Sequence, residues 1–221
     1  MALVEQWLRK FMTGFTQAVK LYFGNNKFSA GKSMWLNLPN ILTFSRIGAI
    51  PVIVGLMFLP TPLGNWLSFS VYTYACITDF FDGYLARAWE QQSAMGRFLD
   101  PIADKLLVSG VLLMLVATEG ISGLSVLPAG IILFREILVS GLREFLAEVQ
   151  IKVPVTVLAK WKTTLQMLAL GFLLIGSAGP DLGSITTLEI GIVSLWLAAI
   201  LTVGTGYDYM KAGMRHISDT E

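Results

Sequence analysis

The sequence has few charged residues and almost no cysteine or histidine. Of its 221 residues, one is cysteine, one is histidine and 14% are charged. The single cysteine, Cys76, excludes an intramolecular disulfide, and the single histidine, His216, excludes a zinc site built from several histidines. The 16 Lys and Arg residues nearly balance 15 Asp and Glu residues, so a net charge of +1 gives no general attraction for nucleic acid. Any metal would therefore be held by oxygen ligands.

Long apolar runs dominate the rest of the chain, of which 54% is hydrophobic. Six runs approach the roughly 20 residues that cross the hydrocarbon core of a bilayer. They cover residues 41–59, 66–89, 98–118, 124–149, 155–177 and 185–210. We therefore predict an all-α integral membrane protein with six transmembrane helices, which form one domain over residues 36–221.

The N-terminal segment, residues 1–35, has a different pattern. Leu3, Trp7, Phe11 and Phe15 recur at helical spacing among basic residues. This pattern predicts an amphipathic helix that lies in the membrane interface. The segment lacks the apolar core and cleavage site of a signal peptide, so we expect it to be retained.

The distribution of basic residues predicts the orientation. Three connections between the runs, residues 60–65, 119–123 and 178–184, contain no Lys or Arg. The other two connections are basic, and so are the N-terminal segment and the C-terminal tail. Because basic connections remain in the cytoplasm, we predict that both termini are cytoplasmic.

Four aspartates lie where the second run ends and the third begins. Asp79 and Asp82 are three residues apart, and Asp100 and Asp104 are four apart, so each pair shares a helix face. Two antiparallel helices could point these faces at each other. A charge deep in a bilayer costs about 2.5 to 3.5 kcal/mol, and four anions repel one another unless divalent cations lie between them. Oxygen ligands suit Mg²⁺, Mn²⁺ or Ca²⁺, so the pattern predicts a site for a pair of ions. The alternative is that the four aspartates form only structural ion pairs with Arg87, Arg97 and Lys105 and have no part in catalysis.

Basic residues occur at the same predicted depth and could hold phosphate groups. They are Arg46, Arg135, Arg143, Lys160 and Lys162. Four of them have an alternative role. Arg135 and Arg143 could instead pair with the neighbouring Glu136 and Glu144, and Lys160 and Lys162 could extend to the membrane interface.

One motif covers the aspartates. Its form is D-x2-D-G-x2-A-R-x8-G-x3-D-x3-D, with the identities Asp79, Asp82, Gly83, Ala86, Arg87, Gly96, Asp100 and Asp104. With this motif, the chain from about residue 38 resembles the CDP-alcohol phosphotransferases. The resemblance implies transfer of a substituted phosphate from a CDP-linked lipid to an alcohol, release of CMP, and a homodimer.

The resemblance also implies roles for individual residues. The four aspartates would hold two divalent cations, Mg²⁺ or Mn²⁺, and Asp104 would be the general base on the acceptor hydroxyl. Gly83, Ala86, Arg87 and Gly96 would line the CDP site. Asn40 and Arg46 are further candidates for donor binding, although an asparagine there is also an ordinary helix cap.

Three further stretches, residues 38–46, 135–144 and 160–163, resemble bacterial members of the family that form phosphatidylglycerophosphate. The donor would then be CDP-diacylglycerol, in the bacterial inner membrane, with the site facing the cytoplasm. The acceptor would be sn-glycerol 3-phosphate, and its phosphate would bind Arg135, Arg143, Lys160 and Lys162. Serine, inositol phosphate and phosphatidylglycerol remain alternative acceptors.

A divalent-cation transporter is the alternative from another class, because carboxylates within membrane spans also mark ion pathways. A transporter would need polar groups that continue to the outer side. The outer halves of the predicted spans are nearly free of charge.

Overall fold

The computed structural model describes residues 38–88, 94–150, 157–181 and 183–218. The predicted interfacial helix in residues 1–35 lies outside the described residues. At some helical positions only the backbone is described and the side chain is not. These positions are 38–40, 82–88, 94–95, 97, 157, 212 and 215–218.

Six α-helices make up most of the described residues, and each corresponds to one predicted apolar run. They are α1 (Leu38–Met57), α2 (Pro62–Ala88), α3 (Ala94–Ala117), α4 (Val126–Glu148), α5 (Val157–Ile175) and α6 (Thr187–Ser218). The prediction of an all-α fold is confirmed. The last helix continues past the predicted end at residue 210, because no proline interrupts the stretch that follows.

Local sequence explains where two of these helices begin. Pro62 is the first residue of α2, where a missing N–H costs no hydrogen bond, and the Gly64 N–H donates to Thr61 Oγ1 at 3.1 Å. At the start of α6, the Glu189 N–H donates to Thr186 Oγ1 at 3.2 Å, and the Thr186 N–H donates to Glu189 Oε2 at 2.8 Å. This reciprocal pair satisfies N–H groups that the helix itself leaves without partners.

The helices present an apolar surface that suits lipid. Among the described residues, three segments are long and apolar enough to cross a membrane, namely Gly123–Glu148, Leu158–Ala178 and Thr187–Lys211. A fourth, Ile41–Met57, is apolar but shorter. Large side chains such as Phe134 and Ile200 are mostly exposed, which water would disfavour. These features are those of an integral membrane protein.

The helix packing places α1 at the centre of the candidate site. α1 packs against both α2 and α3, whereas α2 and α3 make no comparably extensive contact with each other in the described part. α5 packs along α6 and also against α2, and α4 packs against α6. The buried core includes Ile53, Leu112, Ile132, Leu170 and Leu195. Both helices that carry the predicted metal ligands therefore contact α1.

Small residues let α5 and α6 approach closely. A Cβ atom added to Gly191 on α6 would lie 2.9 Å from Leu173 Cγ and 3.1 Å from the Leu173 backbone nitrogen on α5. Side chains larger than glycine would force these helices apart. Such contacts between small residues and a neighbouring helix are typical of membrane proteins.

Candidate active site

α1 places one arginine against carboxylates from two other helices. Arg46 is fully buried, and its Nη1 lies 2.7 Å from Oδ1 of Asp79 on α2 and 2.7 Å from Oδ1 of Asp104 on α3. The two carboxylate oxygens are therefore separated by at most twice 2.7 Å. Ion pairing with both groups offsets part of the cost of removing a guanidinium group from water. Arg46 thereby links α1, α2 and α3.

A threonine on the same face of α1 binds a third carboxylate. Thr43 lies three residues before Arg46, and its Oγ1 donates a hydrogen bond to Asp100 Oδ1 on α3 at 2.7 Å. Thr43 is buried and Asp100 is half-buried. Residues three apart share a helix face, so α1 presents one polar face to both aspartate-bearing helices.

Three of the four predicted metal ligands therefore gather in one place. They are Asp79, Asp100 and Asp104; Asp82 lies on the next turn of α2, and its side chain is outside the described residues. Among these described side chains, two carboxylates contact the Arg46 guanidinium group and the third contacts the uncharged Thr43. The excess negative charge would favour a bound divalent cation.

Donors on α1 contact the aspartates of both other helices. The spacing of the aspartates allows the aspartate faces of α2 and α3 to point at each other. In the structure, the described carboxylates of both helices bind Thr43 and Arg46, which lie on one face of α1.

The residues present fit a divalent cation with oxygen ligands. Carboxylate oxygens are the ligands that Mg²⁺ and Mn²⁺ prefer, and two of them converge closely at Arg46. Within the described residues, no group of three or more Asp, Glu, His or Cys side chains is arranged to hold a metal ion. The fourth predicted ligand, Asp82, lies outside that comparison.

The predicted donor-binding residues lie on the three helices around the carboxylates. They are Asn40 and Arg46 on α1, Gly83, Ala86 and Arg87 on α2, and Gly96 on α3. The side chains of Asn40, Ala86 and Arg87 and the surroundings of Gly83 lie outside the described residues. Gly96 lies one turn before Asp100. Arg46 contacts include those with the carboxylates described above.

Two predicted phosphate-binding residues share one carboxylate. Lys162 on α5 is 3% exposed and forms an ion pair with Glu136 on α4. Arg135 Nη1 lies 3.7 Å from the same Oε1 of Glu136, and its Nη2 donates to Thr205 Oγ1 on α6 at 3.1 Å. Arg135 Nε is buried without a hydrogen-bond partner among the described residues. Two cations around one carboxylate leave a positive charge that suits an anion.

The other two predicted phosphate-binding residues have different surroundings. Arg143 on α4 donates from Nη2 to Tyr209 Oη on α6 at 3.3 Å, and its guanidinium carbon lies 5.3 Å from the centre of the Tyr209 ring. This contact is a cation–π interaction. Lys160 is exposed near the start of α5. The structure thus brings Arg135 and Lys162 together through Glu136 and places Arg143 against Tyr209.

An apolar groove of about 410 Å³ runs between α2 and α5. Phe69, Phe80 and Phe81 of α2 and Met167 and Phe172 of α5 are among its lining residues. Phe80 directly follows Asp79 in the sequence. The groove therefore reaches the turn of α2 that carries Asp79.

The family of the chain follows from comparison with known proteins. The model of the CDP-alcohol phosphatidyltransferase family matches residues 36–204, which include all four aspartates and the basic residues of α4 and α5. The chain belongs to this family, and the resemblance found in the sequence is confirmed.

Bacterial relatives align with most of the chain. The protein named CDP-diacylglycerol--glycerol-3-phosphate 3-phosphatidyltransferase in Rickettsia bellii is 50% identical over 176 residues, which is 80% of this chain and 94% of the relative. The proteins of that name in Pectobacterium atrosepticum and Cereibacter sphaeroides are 40% and 38% identical. Each alignment covers 83% of this chain, and the two alignments cover 97% and 98% of the relatives' own lengths, respectively.

Proposed function

We propose that this protein transfers the phosphatidyl group of CDP-diacylglycerol to sn-glycerol 3-phosphate, which gives phosphatidylglycerophosphate and CMP. The observation that carries the proposal is the gathering of Asp79, Asp100 and Asp104 around one face of α1. The names of the bacterial relatives support this choice of donor and acceptor.

In this reaction, the acceptor hydroxyl oxygen forms a bond to the phosphatidyl phosphorus, and the bond from that phosphorus to the CMP oxygen breaks. CMP leaves with the electron pair. We assign removal of the hydroxyl proton to Asp104, whose side chain is 50% exposed and is therefore open to a water-soluble acceptor. Two Mg²⁺ or Mn²⁺ ions, held by Asp79, Asp82, Asp100 and Asp104, would supply positive charge for the phosphoryl oxygens and the departing CMP.

The acceptor phosphate is assigned to the basic residues of α4 and α5. Arg135 and Lys162 share the carboxylate of Glu136, so together they keep a net positive charge for a phosphate dianion. Arg143 and Lys160 complete the proposed set. Glycerol 3-phosphate carries a phosphate that this set would bind, whereas serine carries none.

The donor is assigned to the other side of the carboxylates. Asn40, Gly83, Ala86, Arg87 and Gly96 would contact the CDP group. The groove between α2 and α5 reaches the turn of α2 that carries Asp79, and its apolar lining suits an acyl chain of the lipid. For Arg46, the two short contacts favour a role in holding Asp79 and Asp104.

The proposed membrane arrangement follows from the charge distribution. All six helices would cross the bacterial inner membrane, with both termini in the cytoplasm and the active site at the cytoplasmic face. Glycerol phosphate would enter from water and the donor from the bilayer. Residues 1–35 would lie on the membrane surface, and the protein would form a homodimer.

Asp104→Asn tests the proposed base. The variant keeps the size of the side chain but cannot accept the acceptor proton, so we expect CMP release to be abolished while the protein still folds, because Asp79 continues to pair with Arg46. Asp208→Asn on the exposed side of α6 is the matched control and should retain full turnover. Turnover by Asp104→Asn at the wild-type rate would show that Asp104 is not the base.

A further inference from the structure

We infer that Thr43 is a positioning residue for the metal-binding carboxylates, because its hydroxyl group holds Asp100 in the orientation that a cation requires. The inference rests on the proposed function, since it concerns the same site. It adds a residue outside the sequence motif. It also assigns α1 a part in metal binding, although α1 contributes none of the four aspartates.

The contact itself is short, part-buried and long-range. Thr43 is 1% exposed, and its Oγ1 lies 2.7 Å from Asp100 Oδ1, 57 positions away in the chain. Because threonine is branched at Cβ, few rotamers are open to it in a helix, so the hydroxyl position is well defined. The carboxylate of Asp100 is therefore held by a rigid donor.

Other hydroxyl groups in these helices behave differently. Several donate to the carbonyl group four residues earlier, within their own helix. They are Ser68, Ser70, Thr118, Thr163, Thr164 and Thr205. Thr43 instead reaches a carboxylate on another helix. This contact between helices gives the Thr43 hydroxyl group a specific use on the polar face of α1.

Thr43 and Arg46 act on the carboxylates in different ways. Arg46 holds Asp79 and Asp104 through charge, which also neutralises them in part. Thr43 is uncharged, so it orients Asp100 without placing a positive charge on that carboxylate. Residues that orient metal ligands through hydrogen bonds typically contribute about 10- to 100-fold to metal affinity.

The test is Mn²⁺ binding by the full-length protein in detergent, without substrates, measured from the electron paramagnetic resonance signal of free Mn²⁺. Thr43→Val keeps the shape of the side chain and removes the hydroxyl group. We expect the Kd for Mn²⁺ to rise about 10-fold or more. The KM for glycerol 3-phosphate should stay unchanged, since that substrate is assigned to α4 and α5.

Two further variants separate positioning from packing. Thr43→Ser restores the hydroxyl group and should bind Mn²⁺ like the wild type. Thr202→Val is the matched control, because Thr202 is also fully buried but its Oγ1 has no hydrogen-bond partner among the described residues. It should leave Mn²⁺ binding unchanged.

Several results would overturn the inference. One is wild-type Mn²⁺ affinity in Thr43→Val, and another is equal weakening in Thr43→Val and Thr43→Ser. Thr43→Ala is measured alongside, and loss of folding in both the Val and Ala variants would show that the hydroxyl group supports the fold instead. If the wild type fails to use glycerol 3-phosphate, the proposed function fails, but the Mn²⁺ comparison can still be made.

Discussion

Glu136→Gln should destabilise the protein strongly, because it leaves a buried lysine without a counter-ion. Lys162 has a side chain that is only 4% exposed, and its ion-pair partner Glu136 is 24% exposed. The glutamate also lies 3.7 Å from Arg135. Removing one partner of a buried pair typically costs about 3 to 5 kcal/mol. The partial exposure of Glu136 places the expected loss near the lower end, at about 3 kcal/mol.

The assay is thermal unfolding of the purified protein in detergent. For a chain of this size, about 3 kcal/mol corresponds to a fall of roughly 6 to 12 °C in the unfolding temperature. Glu144→Gln on the same helix is the matched control. Its carboxylate is 74% exposed and lies 3.4 Å from Lys105 Nζ, so its loss should cost at most about 1 kcal/mol.

A double variant completes the test. Glu136→Gln combined with Lys162→Met removes both buried charges, and an apolar side chain in place of a buried ion typically restores stability. We therefore expect the double variant to unfold closer to the wild-type temperature than Glu136→Gln does. Equal unfolding temperatures for Glu136→Gln and Glu144→Gln would refute the reasoning, as would a double variant no more stable than Glu136→Gln.

Three other predictions concern the acceptor, the metal and the helix packing. Arg135→Ala should raise the KM for glycerol 3-phosphate about 10-fold or more in a CMP-release assay and leave the KM for the donor unchanged; equal changes would contradict the proposed acceptor site. EDTA should abolish CMP release and Mn²⁺ should restore it, whereas turnover in EDTA would exclude a metal requirement. Gly191→Ala should cost about 1 to 3 kcal/mol, because the new Cβ would approach Leu173 to 2.9 Å. Gly130→Ala, with open space around its Cβ, should be neutral in the same thermal assay.

The helices could be predicted from sequence because each one coincides with an apolar run. Pro62 at the start of α2 and the Thr186–Glu189 cap before α6 are local signals, and local signals need no knowledge of tertiary contacts. The same holds for the spacing within Asp79–Asp82 and Asp100–Asp104, which predicts shared faces.

The contacts between helices could not be predicted in the same way. The sequence makes Arg46 a candidate for donor binding because it is a cation at the predicted depth of the aspartates, and opposite charge alone does not select phosphate over carboxylate. The structure places it against Asp79 and Asp104. Thr43 offered a weaker signal, a hydroxyl one turn before Arg46 in an apolar run, and its partner is 57 positions away.

The basic residues show the same limit. Glu136 is adjacent to Arg135 in the sequence, which favours a simple pair, but its ion pair with Lys162 depends on how α4 and α5 are placed. Tyr209 lies near the end of a long helix, where tyrosines commonly anchor a protein at the interface. Here it is buried against Arg143, and only the packing of α6 on α4 reveals that contact.

The decisive measurement is CMP release by the purified protein in detergent with CDP-diacylglycerol and Mg²⁺ or Mn²⁺. Glycerol 3-phosphate, serine, inositol phosphate and phosphatidylglycerol would be compared as acceptors. We predict metal-dependent CMP release with glycerol 3-phosphate alone. Turnover with another acceptor in its place would contradict the assignment of Arg135 and Lys162 to glycerol phosphate, and no CMP with any acceptor from folded protein would contradict the proposed activity itself.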